Sequence, residues 1–149
     1  MHIIETDILI DAEPAAVWAT LTDRDHSHEW NPFIRRMDGD LSVGGKLTVE
    51  IGAPGQRSMR FRPTVTALEP DRQLAWVGRL VVRGLFDGEH SFTLQPIDGG
   101  RRTRLVHVER FSGLLVRFAH RMLGETASGF EEFNAALKHR VEQHVGAQQ

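Results

Sequence analysis

VRFAHRMLGETASGFEEFNAALKHRV, residues 116–141, is the stretch that decides the fold. Val116, Ala119, Leu123, Phe130, Phe133, Leu137 and Val141 recur there at steps of three and four or their multiples, the period of one long amphipathic helix. Lys138, His139 and Arg140 near its end complement the helix macrodipole. Gly124 and Gly129 interrupt it, each at about 1 kcal/mol relative to alanine. Either they leave room for a bend or a ligand, or they let the helix pack closely on its neighbours.

Upstream, residues 33–111 read as strands and turns. Asp98-Gly99-Gly100 between residues 90–97 and 103–111 is a strong hairpin signal. Ser42-Val43-Gly44-Gly45, Gly52-Ala53-Pro54-Gly55 and Glu69-Pro70-Asp71-Arg72 separate strands expected over 33–41, 46–51, 59–68 and 74–80. A glycine-punctuated stretch follows from Arg83 to Gly88. Residues 3–10 form a first strand. Pro14 suits the first turn of a helix over 15–21, and a second short helix fits 26–30 before Asn31-Pro32 ends it. The class is α+β, with about seven strands pairing in sequence as a curved antiparallel sheet and two short helices after the first strand. A sheet with one apolar face must be covered, and only the C-terminal helix is long enough. We assign no domain boundary within residues 1–149.

Composition removes several function classes. The chain has no cysteine, which excludes disulfides, thiolate metal sites and cysteine nucleophiles. Net charge is −2, so nothing overall calls for nucleic acid or an anionic membrane. Residues 101–149 carry 8 Lys/Arg against 5 Asp/Glu, read as a solvated basic helix end. The first residues alternate apolar and polar with no basic lead-in, unlike a signal peptide. No run approaches the ~20 apolar residues of a membrane span. A cytoplasmic protein without membrane insertion, monomer or homodimer, is expected.

Ala12-Glu-Pro-Ala-Ala-Val-Trp18, Leu21-Thr-Asp23 and Trp30-Asn-Pro-Phe33 are followed by Leu74-Ala-Trp76, Gly88-Glu-His-Ser-Phe92, Glu109-Arg-Phe-Ser-Gly113 and Phe133-Asn-Ala-Ala-Leu-Lys138. This ordered set resembles the SRPBCC, or START-like, superfamily, and within it the polyketide cyclase/dehydrase-like branch. The resemblance implies a helix-grip fold with a deep cavity between sheet and helix. Members include lipid carriers, hormone receptors, cyclases, oxygenase domains and chaperone activators, so it does not choose a function.

Strand alternation nominates the lining residues. Arg104 and Arg110 should face out, turning Leu105, His107, Glu109 and Phe111 inward. His90, Phe92 and Leu94 share the inner face of the preceding strand, as do Leu74, Trp76, Gly78 and Leu80 of the one before. Phe118 and Met122 could reach the same space from the helix, and Trp30 and Phe33 sit at its mouth. The expected ligand-binding set is therefore Trp30, Phe33, Trp76, His90, Phe92, His107, Glu109, Phe111, Phe118 and Met122.

His90, His107 and Glu109 are its informative members, because buried polar groups are costly unless paired. They form a satisfied core cluster, anchor a ligand hydroxyl or carbonyl, or move a proton. Two histidines and a carboxylate are formally a metal set, but their spacing is not diagnostic, and neither metal nor organic cofactor is expected. Trp18 reads as core. His26, His28, His120, His139 and His144 read as surface residues, and Arg57 to Arg62 as the wet face of a strand. No Gly-rich phosphate loop or nucleophile elbow is present. The leading expectation is binding of a small, mostly apolar ligand. The alternatives are a cyclase/dehydratase-type enzyme using His90, His107 and Glu109, and a chaperone-activator-like interaction module.

Overall fold

The computed structural model describes residues 1–52, 57–79 and 83–147, with the side chains of His120 and Met122 excepted. The turn expected at Gly52-Ala53-Pro54-Gly55 and the inward position at Leu80 fall wholly or partly outside these residues. In chain order come β1 (His2–Ile10), α1 (Pro14–Thr22), a short 3-10 helix (Ser27–Glu29), β2 (Ile34–Gly39), β3 (Leu47–Ile51), β4 (Met59–Phe61) and β5 (Thr64–Glu69). Then follow β6 (Gln73–Arg79), β7 (Asp87–Ile97), β8 (Arg102–Ser112), a 3-10 turn (Val116–Phe118) and α2 (His120–Ala147).

Local chemistry accounts for the boundaries. Pro14 opens α1, and the carbonyl of Glu13 accepts from Ala16 and Val17 N–H, as a proline start allows. The Asn31 side chain accepts from the N–H groups of Phe33 and Ile34, both at 2.9 Å. This turn swings the chain out of the 3-10 helix and into β2. At the β7–β8 hairpin Asp98, Gly99 and Gly100 all have positive φ, the conformation that glycine adopts at little cost.

The described strands number eight and form two antiparallel sheets, β1-β8-β7-β6-β5 and β2-β3-β4. Two expectations need correction here. Residues 59–68 are not one strand. Pro63, which has no N–H for a ladder, divides them into β4 and β5, and the two halves join different sheets. Nor do the strands all pair in sequence: β1 pairs with β8 along its whole length, from His2 opposite Phe111 to Ile10 opposite Thr103. The first and last strands thus lie side by side, and α2 lies over them.

The expected inward faces are met on β6, β7 and β8, although Ala75, Ser91 and Val108 on the opposite face are buried as well, Ser91 having been expected to face out. Leu74, Trp76, Phe92, Leu94, Leu105, His107 and Phe111 are all buried. Leu74, Trp76, Phe92, Leu94 and Leu105 pack with Ile10, Val17, Leu47, Val49, Val65 and with Phe133, Leu137 and Val141 of α2 to form the main core, to which neither His107 nor Phe111 belongs. Each such side chain contributes about 1.5–3 kcal/mol of burial. A second, smaller cluster gathers Ile4, Phe111, Val116, Leu123 and Phe130 under the first half of α2. Among the described residues no helix is long and apolar enough to cross a membrane.

The glycines of α2 resolve differently. A Cβ on Gly129 would stand 3.2 Å from the Phe33 ring, whereas one on Gly124 would meet nothing within 4 Å. Close packing therefore explains Gly129 and leaves Gly124 unexplained.

Candidate functional site

Between the two apolar clusters lies a layer of polar side chains from β1, β7, β8 and α2. Cross-strand register builds it: Thr6 stands opposite His107, His90 opposite Glu109, and Trp76 opposite His90. Directly opposed residues of an antiparallel pair share a face, so these groups all point toward α2. From the helix, Asn134 enters the layer and is only 2% exposed.

The hydrogen bonds have a direction. Asn134 Oδ1 can only accept, so Nδ1 of His107, 2.8 Å away, carries its proton. Asn134 Nδ2 donates to Thr6 Oγ1 at 2.9 Å, and the Thr6 hydroxyl donates to the His107 carbonyl at 3.5 Å. His107 Nε2 is then an acceptor, and His90 Nε2 donates to it across 2.5 Å. That leaves a lone pair on His90 Nδ1, which faces Glu109 Oε2 at 3.7 Å, beyond direct hydrogen-bond length.

Apolar walls set the charges. His107 stacks on Phe130 with centroids 4.0 Å apart and planes 10° apart, and Phe92 lies 4.4 Å from it. Trp76 and Phe92 flank His90 at 5.0 and 4.8 Å. Burial holds His90 well below the ordinary histidine range, with the neighbouring His107 acting the same way. Burial lowers His107 to about 4 against the opposing bond from Asn134. The same desolvation pushes the Glu109 carboxyl up to about 7. Near neutral pH both rings are therefore uncharged, and Glu109 sits close to its midpoint.

Glu109 borders two glycines over which neighbouring rings close in: the Phe61 ring lies 3.7 Å from where a Cβ of Gly78 would stand, and the Phe111 ring 3.7 Å from that of Gly88. Gly88 is opposite Gly78 on β6 and opposite Phe111 on β8. A Cβ on Gly88 would stand 2.9 Å from Glu109 Oε1, so the carboxyl rests on the space that a side chain would fill.

The open space is small. An apolar recess of about 20 Å³ lies between the 3-10 helix, β2 and the main sheet, lined by Trp30, Met37, Leu74, Trp76, Phe92 and Phe133 among others. That is room for one or two waters. The deep cavity that the resemblance implied does not appear there. A larger recess of about 230 Å³, at Arg36, Asp38, Thr48, Glu50 and Arg60, faces away from the interior. Its residues alternate with Met37, Val49 and Phe61, which turn toward the core.

Of the nominated residues, the fold brings Trp76, His90, Phe92, His107, Glu109 and Phe111 to one face. Trp30 packs edge-on against Phe133 at 5.4 Å, and Phe33 lies on Gly129. Phe118 is a correction: it is 72% exposed. It belongs to the 3-10 turn before α2, and its phase lies roughly opposite the Leu123–Phe130–Leu137 stripe. The Met122 side chain lies outside the described residues. Asn134, Thr6 and Phe130 were not nominated for the site. Asn134 was visible as a polar residue on the apolar stripe, and Thr6 as the polar member of the Ile4–Ile8–Ile10 face. Among the described residues no three His, Asp or Glu side chains converge as a metal-holding group.

A family model described as polyketide cyclase/dehydrase and lipid transport matches residues 1–142. The chain belongs to this family. No curated protein matches the sequence. Among solved structures similar to this family member is a protein from Mesorhizobium loti, 23% identical, covering 95% of this chain and 98% of that one with a TM-score of 0.73. Another is the Zhui aromatase/cyclase from Streptomyces sp. R1128, at 16% identity, coverage of 97% and 95%, and a TM-score of 0.75. A third is the di-domain ARO/CYC BexL from the BE-7585A biosynthetic pathway, at 16% identity and a TM-score of 0.74. Here 95% of this chain covers 47% of that one. Identities in this range speak for the shared helix-grip fold of this polyketide cyclase-like member of the SRPBCC superfamily, and for nothing finer.

Proposed function

We propose that this chain binds a small, mostly apolar ligand between the sheet and the first half of α2, over the floor made by Gly78 and Gly88. The observation that carries this reading is the Glu109 carboxyl, 17% exposed and largely desolvated among apolar side chains beside the two glycines. A core built only for stability gains nothing by desolvating an acid whose nearest polar partner stands 3.7 Å away. A ligand carbonyl or hydroxyl would supply the missing bond. The apolar recess of about 20 Å³ is lined by neither Glu109 nor the two glycines, so a guest over them, which needs ~300 Å³ in an ordinary ligand site, requires the start of α2 to lift. That segment rests on Ala119, Leu123 and Ala127, and nothing opposes Gly124.

Native mass spectrometry and thermal shift against naphthols, polyphenols and medium-chain fatty acids test the reading. A one-to-one guest should be retained by the wild type, weakened about tenfold or more by Gly88→Val, and altered by Glu109→Gln, each tenfold being 1.4 kcal/mol. A guest indifferent to both substitutions, or no guest at all, would overturn it.

The His90–His107 pair beside Glu109 favours a second reading, a cyclase- or dehydratase-type enzyme. In it the protonated Glu109 gives its proton to a ligand carbonyl and the resulting carboxylate takes one back from the adjacent ligand carbon, with the two neutral rings orienting the substrate. The family description, polyketide cyclase/dehydrase and lipid transport, supports it. Turnover of a polyketide-like substrate that disappears in Glu109→Gln while binding persists separates it from carriage alone.

A further inference from the structure

The net charge of −2 conceals a local separation at the turn between β8 and α2. Leu114 is 75% exposed, Leu115 42% and Phe118 72%. They project because their neighbour Val116 is drawn inward, to 8% exposure, against Phe111, Leu123 and Phe130. The turn is firmly built. Leu114 N–H donates to the Gly84 carbonyl at 3.2 Å and Leu115 N–H to the Leu85 carbonyl at 3.1 Å. Gly113, at φ 119°, lies so close to Leu85 that a Cβ would stand 2.4 Å from its carbonyl oxygen. An apolar tip is thus presented by a braced turn with a buried anchor.

Its surroundings are richer in positive than in negative charge; the acids near it are Asp87, which accepts from the Gly84 N–H, Glu89, which faces Arg110 at 3.7 Å, and Glu125. Residues 110–124 contain Arg110, Arg117 and Arg121 and neither Asp nor Glu. The Arg117 guanidinium lies 4.8 Å above the Phe118 ring. Arg121 is 94% exposed and reaches only Glu125, at 3.4 Å. Arg83, also exposed, begins the loop to which the turn is bonded.

We propose that the β8–α2 turn docks the protein on an anionic lipid bilayer, with Leu114, Leu115 and Phe118 entering the headgroup–acyl boundary and Arg117 and Arg121 meeting lipid phosphates. Charge complementarity selects this occupant. Apolar side chains at a tip with arginines beside them match an interface that is apolar below and anionic above, and arginine stems lie along the apolar side while their heads stay with phosphate. Three side chains on one turn fall far short of the ~20–30 residues a side that a stable protein interface uses. The docking does not depend on the ligand reading. It does direct one end of the interior toward the bilayer, since Val116 packs on Phe111, the cross-strand partner of Gly88.

The test is co-sedimentation of the full chain with phosphatidylcholine vesicles containing about 30% phosphatidylglycerol, against pure phosphatidylcholine, at low and high salt. Binding should require the anionic lipid and fall about tenfold or more at high salt. Phe118→Asp, Leu114→Asp and the pair Arg117→Glu/Arg121→Glu should each weaken it to a similar degree, while Arg117→Lys retains it. All these side chains are exposed, so unchanged circular dichroism should accompany the losses. Absence of binding to anionic vesicles would overturn the proposal, as would equal binding by Phe118→Asp. A wild-type dimer that Phe118→Asp converts to monomer, with no vesicle binding by either, would show that the tip pairs with a second copy and would overturn it too.

Discussion

Replacing Asn134 with leucine tests whether the polar layer acts as a unit. Leucine keeps asparagine's heavy-atom count and branching and is the better helix former, so propensity is not the cause of any loss, although its two methyl groups are bulkier than the amide and overpacking adds to the cost. Two bonds disappear, His107 Nδ1–H to Oδ1 at 2.8 Å and Nδ2–H to Thr6 Oγ1 at 2.9 Å, together about 2 kcal/mol net. The donor left on His107 is buried at 1% exposure, which adds up to about 1–3 kcal/mol if it stays unpaired. We therefore expect Asn134→Leu to cost about 2–5 kcal/mol in equilibrium urea unfolding at neutral pH, with m unchanged. The lower figure applies if His107 exchanges tautomer and reverses the chain. His90 Nδ1–H would then point at Glu109, and the carboxyl would titrate below its present value of about 7. The partner variant His107→Phe removes the other half of the bond, so the double variant should cost about 1–2 kcal/mol less than the two singles combined. A cost below about 1 kcal/mol for Asn134→Leu, or additivity within about 0.5 kcal/mol, would refute the reasoning.

Glu109→Gln should show a pH signature of definite sign. The folded carboxyl titrates at about 7 against an ordinary 4.5, so the native state holds the extra proton between those values. Wild-type stability is therefore lost as pH rises through 7. The advantage of Glu109→Gln over wild type should grow by about 2–3 kcal/mol from pH 5 to pH 8. His107, lowered to about 4, costs stability in the opposite direction, as pH falls below the ordinary histidine range, and it does so in both proteins. Parallel stability curves for the two would count against the desolvated acid. In α2, Gly124→Ala should raise stability by about 0.5–1 kcal/mol, because its Cβ meets nothing within 4 Å. Gly129→Ala should gain less or lose, because the Phe33 ring at 3.2 Å must yield. Thermal unfolding of the two variants side by side distinguishes them.

Much of the fold was legible because periodicity is a local property. The three- and four-residue recurrence from Leu123 to Val141 defined α2, and alternation placed Trp76, His90, Phe92, His107 and Glu109 on one face before any pairing was known. Pairing was less accessible. Nothing local reveals that β1 should return to β8, or that Pro63 sends β4 and β5 to different sheets, since both depend on contacts between distant segments. Phe118 failed for another reason. It stands outside the Val116–Ala119–Leu123 recurrence, whose members do turn inward, and one turn of separation from Met122 says nothing about which way the pair faces.

By itself the sequence determined the α+β class, the covering helix, the inward faces of the strands and the presence of two histidines and an acid among apolar neighbours. Whether those groups meet was a tertiary matter. Only the register of β1, β7 and β8 under α2 brings His90 to His107, Asn134 to both His107 and Thr6, and Glu109 to Gly88. The protonation states belong to the same level, because desolvation is a property of the surrounding walls, and Phe92, Phe130 and Trp76 come from three different elements of the chain.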